Sequence, residues 1–359
     1  MSMRTNPVVD IPGPMATPGE AAVDVSVVCP FYNEEKILES AVRRLLARLE
    51  AMEESWELLI VNDGSTDGSG EIAARLAAGH ERLRCVGYTT NRGRGYALRT
   101  GIGAARGAVV ITTEIDLSWG EDIVERLLAA MNEWPDADIV VASPHLPGGG
   151  YRNVPGKRVF LSRFGNHVIR ACMSQAVTMN TGMTRAYRRG VIRSLPLRED
   201  RKQFHLEVLL KATALGYRVR EIPTVLEWLE YKHEGRRVKR KSASQLRPVI
   251  KSHTLFSLFA EPLRYVWAMS LAALFVGMTS LVWAIVLTAQ GEVSVYMALL
   301  SVLMVILSIV LFVLGVVLQQ GNAIQRELWM TQRQLNRLPG MSEADERVRD
   351  ASPPPPPRA

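Results

Sequence analysis

Short runs of β-branched and aliphatic residues alternate along the first part of the chain with longer stretches in which apolar positions recur every three or four residues. DVSVVCP (24–30), WELLIVN (56–62), RLRCVGY (82–88), AVVITTE (108–114) and ADIVVAS (137–143) are runs of the first kind and predict five strands. Between them EEKILESAVRRLLARLEAME, SGEIAARLAAG, GYALRTGIGAARG and EDIVERLLAAMNEW have helical spacing. Strict alternation of this kind predicts an α/β fold with a mostly parallel sheet, right-handed crossovers and helices on both faces. Ligands of such sheets bind outside the carboxyl ends of the strands, near the point where strand order reverses.

The pattern then changes. Tyr265 to Gly291 contains no Asp, Glu, Lys or Arg, and Val293 to Gln320 is again free of charge. Each stretch exceeds the roughly 20 residues a helix needs to cross a bilayer. Gln290, Gly291 and Glu292 are left for a turn, so the two spans predict a tight hairpin with both chain ends on one side. YKHEGRRVKRKSASQLRPVIK, ahead of the first span, carries eight Lys or Arg against one Glu, and Arg326, Arg333 and Arg337 follow the second. The turn has no basic residue, which places the soluble part and both termini in the cytoplasm, under a two-span cell membrane anchor.

The domain partition follows from these shifts: an unstructured, Pro-, Ala- and Gly-rich segment at 1–23, an α/β domain over 24–232, a basic juxtamembrane segment at 233–264, two transmembrane helices over 265–320, a cytoplasmic helix over 321–338, and a Pro-rich disordered tail at 339–359. HTLFSLFAEPL (253–263) has the spacing of a short interfacial helix. The two spans and helical tail also leave surface for a homo-oligomer.

Composition alters this picture little. The 359 residues are 47% hydrophobic with a formal net charge of +7. The basic cluster adjoins a span, so anionic lipid head groups rather than nucleic acid account for it. The N-terminus has no continuous apolar core of a secretory signal. The cysteines, Cys29, Cys85 and Cys172, have no ligand-like spacing and fit a reducing compartment; Cys29 reads as a small core residue.

Candidate chemistry falls at the predicted strand ends. Asn33 and Glu34 follow the first strand, NDGSTDGS (62–69) the second, NRGRG (91–95) the third, and Glu114 with Asp116 end the fourth. Each alone reads as a turn or a helix cap. Together, at one edge of one sheet, they predict a site. Asp63 is suited to accept hydrogen bonds from a base or ribose with Gly64 permitting close approach, while Gly93, Arg92 and Arg94 suit a polyphosphate. The loop has neither Walker nor dinucleotide spacing. At i and i+2 of a strand, Glu114 and Asp116 share a face. Beside a nucleoside diphosphate, that pair calls for Mg²⁺ or Mn²⁺, which takes one or two carboxylates and completes its shell with water and phosphate oxygens.

As an ordered set, PFYNEE, VNDGSTDGS, NRGRGYALRTG, the EID carboxylates, PGGG and RAYRR, followed by paired spans, resemble the family 2 glycosyltransferases of GT-A fold. Within them the chain is similar to the polyprenyl-phosphate glycosyltransferases, the group that includes dolichol-phosphate mannose synthase. The resemblance implies inverting transfer of one sugar from a GDP- or UDP-sugar to polyprenyl phosphate at the cytoplasmic face. It implies that Pro30, Tyr32, Glu34 and Asp63 hold the nucleoside, with Asn33, Gly64, Arg92, Gly93 and Arg94 in the donor loops. It further implies that Glu114, Asp116 and Ser118 hold the metal, that Arg158 and Ser162 bind the lipid phosphate, and that Arg185 clamps phosphate near the reacting centre. The chain departs from the family pattern at Asn62 and Glu114, where Asp is usual, at Pro144 in place of Arg, and at Met179 in place of Asp. Two other readings stand beside this one: a processive polysaccharide synthase, whose Gln-x-x-Arg-Trp motif is not found, and a non-catalytic, membrane-anchored nucleotide-sugar-binding module.

Overall fold

The computed structural model describes residues 23–156, 159–160, 162–163, 166, 177–201, 203–228, 232–233, 236–237, 262–291 and 295–335. These form two compact units, one built on a sheet and one on two long helices. The segments expected to be unstructured, most of the basic segment and the 253–261 stretch lie outside the described residues.

The sheet unit runs β1 (Val25–Phe31), α1 (Leu38–Glu50), β2 (Trp56–Asp63), α2 (Ser69–Ala78), β3 (Leu83–Tyr88), α3 (Arg94–Ala104), β4 (Val109–Thr112), α4 (Ile123–Glu133) and β5 (Ile139–Ser143). It continues with β6 (Gly150–Arg152), β7 (Arg185–Arg188), α5 (Arg189–Ser194), α6 (Phe204–Ala214), β8 (Val219–Pro223) and β9 (Val225–Glu227), and a two-residue pair, β10 (Lys232–His233) and β11 (Arg236–Arg237). All eight residues of β2 are buried, as expected of a strand covered on both faces. In α1 the buried positions Leu38, Ala41, Val42, Leu45, Leu46 and Leu49 trace one stripe of the helix.

The main sheet has strand order β3-β2-β1-β4-β7-β5-β8. The first four strands are parallel, as predicted. The chain steps outward from β1 to β3, then returns through α3 to β4 on the other side of β1. Strand order therefore reverses between β1 and β4. The sequence pattern did not predict β7, which inserts antiparallel between β4 and β5 with Arg185 opposite Thr112. Because β7 runs against its neighbours, it begins at the edge where β4 ends. A small parallel pair, β6 with β9, lies outside the main sheet.

At the opposite edge a buried carboxylate ties strands to loops. Glu57 Oε1 accepts from Ser26 Oγ and the Arg106 amide, each at 2.6 Å, and Oε2 from Arg84 Nη1 at 2.9 Å and Arg106 Nε at 3.0 Å. Burial pushes its carboxyl up, but these donors together outweigh burial and hold it below the usual carboxylate range.

The second unit contains α7 (Pro262–Ala289) and α8 (Val295–Leu335), both long and apolar enough to cross a membrane. They run antiparallel: Trp267 stacks on Phe312 at 6.5 Å, and Ser270 Oγ donates to the Ser308 carbonyl at 2.9 Å. Gly315 makes room for Trp267, whose Nε1 would lie 2.1 Å from a Cβ there. Most of their remaining side chains, among them Leu271, Phe275, Val282, Leu303 and Val313, face outward. The core helix of a soluble protein is not apolar and exposed in this way. Both expected apolar stretches are helical, and α8 continues without a break into the 321–338 segment as far as Leu335, about 60 Å in all.

Candidate active site

The switch between β1 and β4 gathers the polar loops. After β1, Asn33 adopts φ +54° and its Oδ1 accepts from the Thr66 amide at 2.8 Å, while its own amide donates to Ser65 Oγ at 3.1 Å. The Glu34 amide donates to Ser69 Oγ at 2.9 Å. Asn33 is thus a brace between the first two loops. Tyr32 stands beside them, 43% exposed, with a ring face for an aromatic ligand. Pro30 lies half-buried within β1.

Asp63 has a structural task in the loops. Its Oδ1 accepts from the Tyr88 hydroxyl at 2.6 Å and from the amides of Arg92 and Gly93 at 3.0 Å each, and its Oδ2 from Asn91 Nδ2 at 3.1 Å. Three donors crowd Oδ1 and one reaches Oδ2, which leaves an acceptor direction on Oδ2 open. Asp63 therefore fixes the NRGRG loop. Burial, then this hydrogen bond to Asp63, push the Tyr88 phenol far up, so it remains a donor. Gly64, at φ +67°, is required here: a Cβ would meet the Asn91 amide nitrogen at 2.4 Å.

On the loop itself, Arg92 lies on the Tyr96 ring at 3.8 Å and donates to its hydroxyl at 2.6 Å. Gly93, at φ +103°, opens α3 against the Asp200 carbonyl, which accepts from the Tyr96 amide at 3.1 Å. Arg94 Nη1 reaches Glu114 Oε1 at 3.6 Å.

The acid residues are not on the strand. β4 ends at Thr112, the Thr113 amide still donates to the Val28 carbonyl at 3.1 Å, and the chain then turns, with Leu117 at φ +54° and its amide on the Glu114 carbonyl at 3.3 Å. The same-face argument for Glu114 and Asp116 therefore fails. The turn brings their side chains to Ser118 by another route: Ser118 Oγ donates to Glu114 Oε2 at 2.8 Å and the Ser118 amide to Asp116 Oδ1 at 3.0 Å. Ile115, Leu117 and Trp119 are buried behind the turn, Asp116 is 8% exposed, and the Glu114 side chain is partly open. Burial and then the Asp116 charge hold Cys29 as a thiol, consistent with a core residue. Among the described residues, no cluster of three or more His, Cys, Asp or Glu side chains forms a metal cage. The turn instead offers two carboxylates and a hydroxyl.

Arg185 also departs from expectation. It has no exposed surface, and its Nη1 and Nη2 donate to the carbonyls of His205 and Asn180 at 2.9 and 2.8 Å. The guanidinium pins the 177–184 loop to the start of α6 and does not project as a phosphate clamp. Ser162 bonds the Tyr151 hydroxyl at 3.0 Å, and its carbonyl accepts from Asn166 Nδ2 at 2.9 Å; Asn166 Oδ1 accepts from the Asn180 amide at 2.7 Å. Arg158 lies outside the described residues.

Several residues here had no sequence signal. Glu221 accepts from the Thr178 and Met179 amides, each at 2.8 Å, holding the loop that Arg185 also grips. His205, 2% exposed, has neither ring nitrogen partnered among the described residues. Burial, then the charges of Arg185 and Arg94, hold it well below the usual imidazole range, so it is neutral. These partners lie tens of residues apart, and no local spacing announces them.

A mostly parallel α/β sheet carrying an acid turn at its switch point, with an antiparallel strand beside it, is the GT-A architecture that the sequence implied. The model of the family described as "Glycosyl transferase family 2" matches residues 26–195, and the chain belongs to that family. It is 32% identical over 204 residues to the polyprenol monophosphomannose synthase of Mycolicibacterium smegmatis, covering 55% of this chain and 75% of that one. It is 31% identical over 218 residues to the glycosyltransferase AglD of Haloferax volcanii, covering 58% of this chain and 33% of that protein. Identity to the undecaprenyl-phosphate 4-deoxy-4-formamido-L-arabinose transferase of Salmonella enteritidis is 28% over 200 residues, 55% of this chain and 58% of that one. The chain thus spans from a third to three quarters of these relatives. Among solved structures, glucosyl-3-phosphoglycerate synthase from Mycobacterium tuberculosis superposes with a TM-score of 0.48 at 20% identity, over 66% of this chain and 78% of that one.

Proposed function

We propose that this chain transfers a single sugar from a GDP- or UDP-sugar to polyprenyl phosphate at the cytoplasmic face of a membrane, inverting the anomeric centre. The observation that carries the reading is the acid turn: Glu114, Asp116 and Ser118 joined by hydrogen bonds at the switch point of a family 2 domain, with Arg94 on Glu114. The polyprenol and undecaprenyl-phosphate in two relatives' names support a lipid phosphate acceptor. Two helices of membrane-crossing length in the same chain support placing that acceptor in a bilayer.

The donor set of the turn fits a divalent cation. Carboxylate and hydroxyl oxygens are the hard ligands that Mg²⁺ and Mn²⁺ select, and neither ion needs a full protein cage when water and phosphate complete its shell. Glu114 and Asp116, with Ser118 bonded to both, are the residues that would hold it, and the ion would supply Lewis-acid stabilisation of the departing diphosphate. The chain's own groups do the rest. Asp63 fixes the loop that brings Arg94 forward, and Tyr32 offers its face to the base. Ser162, with Arg158, is assigned to the acceptor phosphate.

That acceptor is its own nucleophile. A phosphate monoester has a second pKa near 6, so at neutral pH an ionised oxygen attacks the anomeric carbon without a general base. One carbon–oxygen bond forms as the bond to the diphosphate breaks on the opposite face. Catalysis is then positioning and charge stabilisation. The domain reading follows: catalysis in 24–232, interfacial contact in 233–264, anchoring by 265–320, and a cytoplasmic helix over 321–338, with both termini cytoplasmic because the basic residues flank the spans on that side.

The test is a donor panel. Membranes containing the protein, supplied with polyprenyl phosphate and labelled GDP- and UDP-sugars, should yield an acid-labile lipid carrying one sugar from one donor. Failure with every donor contradicts the proposal.

A further inference from the structure

Three arginines lie on or near the glycine-rich loop, and they are differently engaged. Arg92 stacks on Tyr96 and bonds its hydroxyl. Arg99 is paired with Asp200 and donates to the Glu199 carbonyl at 2.8 Å. Arg94, with a side chain 47% exposed, reaches the acid turn at 3.6 Å from Glu114 Oε1. The other oxygen of that carboxylate, Oε2, accepts from Ser118.

The backbone beneath Arg94 is fixed. Its neighbours Gly93 and Gly95 lie against the carbonyls of Asp200 and Glu199, where a Cβ at either glycine would approach to 2.6 Å. Half-exposed and long, the Arg94 side chain is the adjustable part of the loop. The turn's two carboxylates repel each other, and Arg94 offsets one of them.

A divalent cation on Glu114 seeks the same negative charge that the guanidinium holds, and two cations on one carboxylate repel. A diphosphate arriving with the metal reverses the balance, because its oxygens offer a planar guanidinium a better, bidentate partner. We propose that Arg94 is the counter-ion that a divalent cation displaces from Glu114, and that the displaced guanidinium then pairs with the donor's diphosphate. The inference rests on the reading of the acid turn as a cation site for a nucleotide donor. It makes the bare metal a poor ligand and the metal–nucleotide pair a good one, so donor and cation load together.

The consequence is a pair of effects of opposite sign. The full-length protein in detergent micelles is titrated with Mn²⁺ alone, followed by the paramagnetic signal of the free ion. It is then titrated with GDP and UDP at saturating Mn²⁺ by calorimetry. Arg94→Gln should bind Mn²⁺ alone about threefold tighter, the scale of an exposed ion pair. It should bind the preferred nucleoside diphosphate about tenfold more weakly, the scale of a charge-assisted hydrogen bond. Arg94→Lys, which keeps the charge but not the fork, should match wild type for Mn²⁺ and fall between the two for nucleotide. If either constant in Arg94→Gln stays put or moves the other way, the proposal is overturned while the cation site stands. A wild-type protein that binds no Mn²⁺ even with nucleotide present overturns the cation site and the proposal together.

Discussion

Asp63 shows how a residue type can announce a site without announcing its task. An Asp-Gly at the end of a buried strand reads as a nucleoside ligand, and the chain places it in the right loop. Its four donors make it the fastener of the NRGRG segment. Removing it leaves buried donors without an acceptor, each costing about 1–3 kcal/mol. Asp63→Ala should therefore weaken nucleoside diphosphate binding by at least about tenfold and speed hydrogen exchange at the amides of Arg92 and Gly93. Asp63→Asn keeps the Oδ1 acceptor that takes three of the four bonds and should retain most of the binding. Equal losses in the two variants, with exchange unchanged, would instead mean that the carboxylate meets the ligand directly.

At the scale of elements, β1 to β5 and their helices were legible because buried parallel strands read as continuous apolar runs. RAYR was legible as a motif but not as a strand. It is four residues long and carries two arginines; burying Arg185 in mid-sheet needed two carbonyl acceptors that come from residues 180 and 205. The end of β4 was misplaced for a similar reason: nothing local says that Leu117 turns left-handed and carries Glu114 and Asp116 off the strand.

The far edge of the sheet makes a prediction of its own. With its folded pKa held below its unfolded value of about 4.3, Glu57 contributes stability that is fully present above that value. The contribution is lost as pH falls through the folded pKa. Glu57→Ala should cost about 3–5 kcal/mol by leaving Arg84 and Arg106 without their buried partner. Glu57→Gln should flatten the decline in melting temperature between about pH 5 and about pH 3, measured by thermal unfolding of the full chain. A decline as steep as wild type's would show that Glu57 is not a principal acid-labile tie.

Across the whole molecule, one chain joins a nucleotide-sugar type of fold to helices of membrane length, and the account depends on both. The sheet positions charge at its switch point; the helices supply apolar surface with no soluble use. The central claim is metal-assisted transfer of one sugar to a lipid phosphate through the acid turn. Its most direct test is mass spectrometry of the lipid product made by purified wild type, Asp116→Ala and Glu114→Asp from the same donor, polyprenyl phosphate and Mn²⁺. The account predicts a single-sugar polyprenyl phosphate from wild type and from Glu114→Asp, abolished by chelation. It predicts at least about a hundredfold slower transfer with Asp116→Ala, the scale of losing one preorganised electrostatic group. Wild-type rates from Asp116→Ala, or a lipid bearing a lengthening chain of sugars, would contradict it.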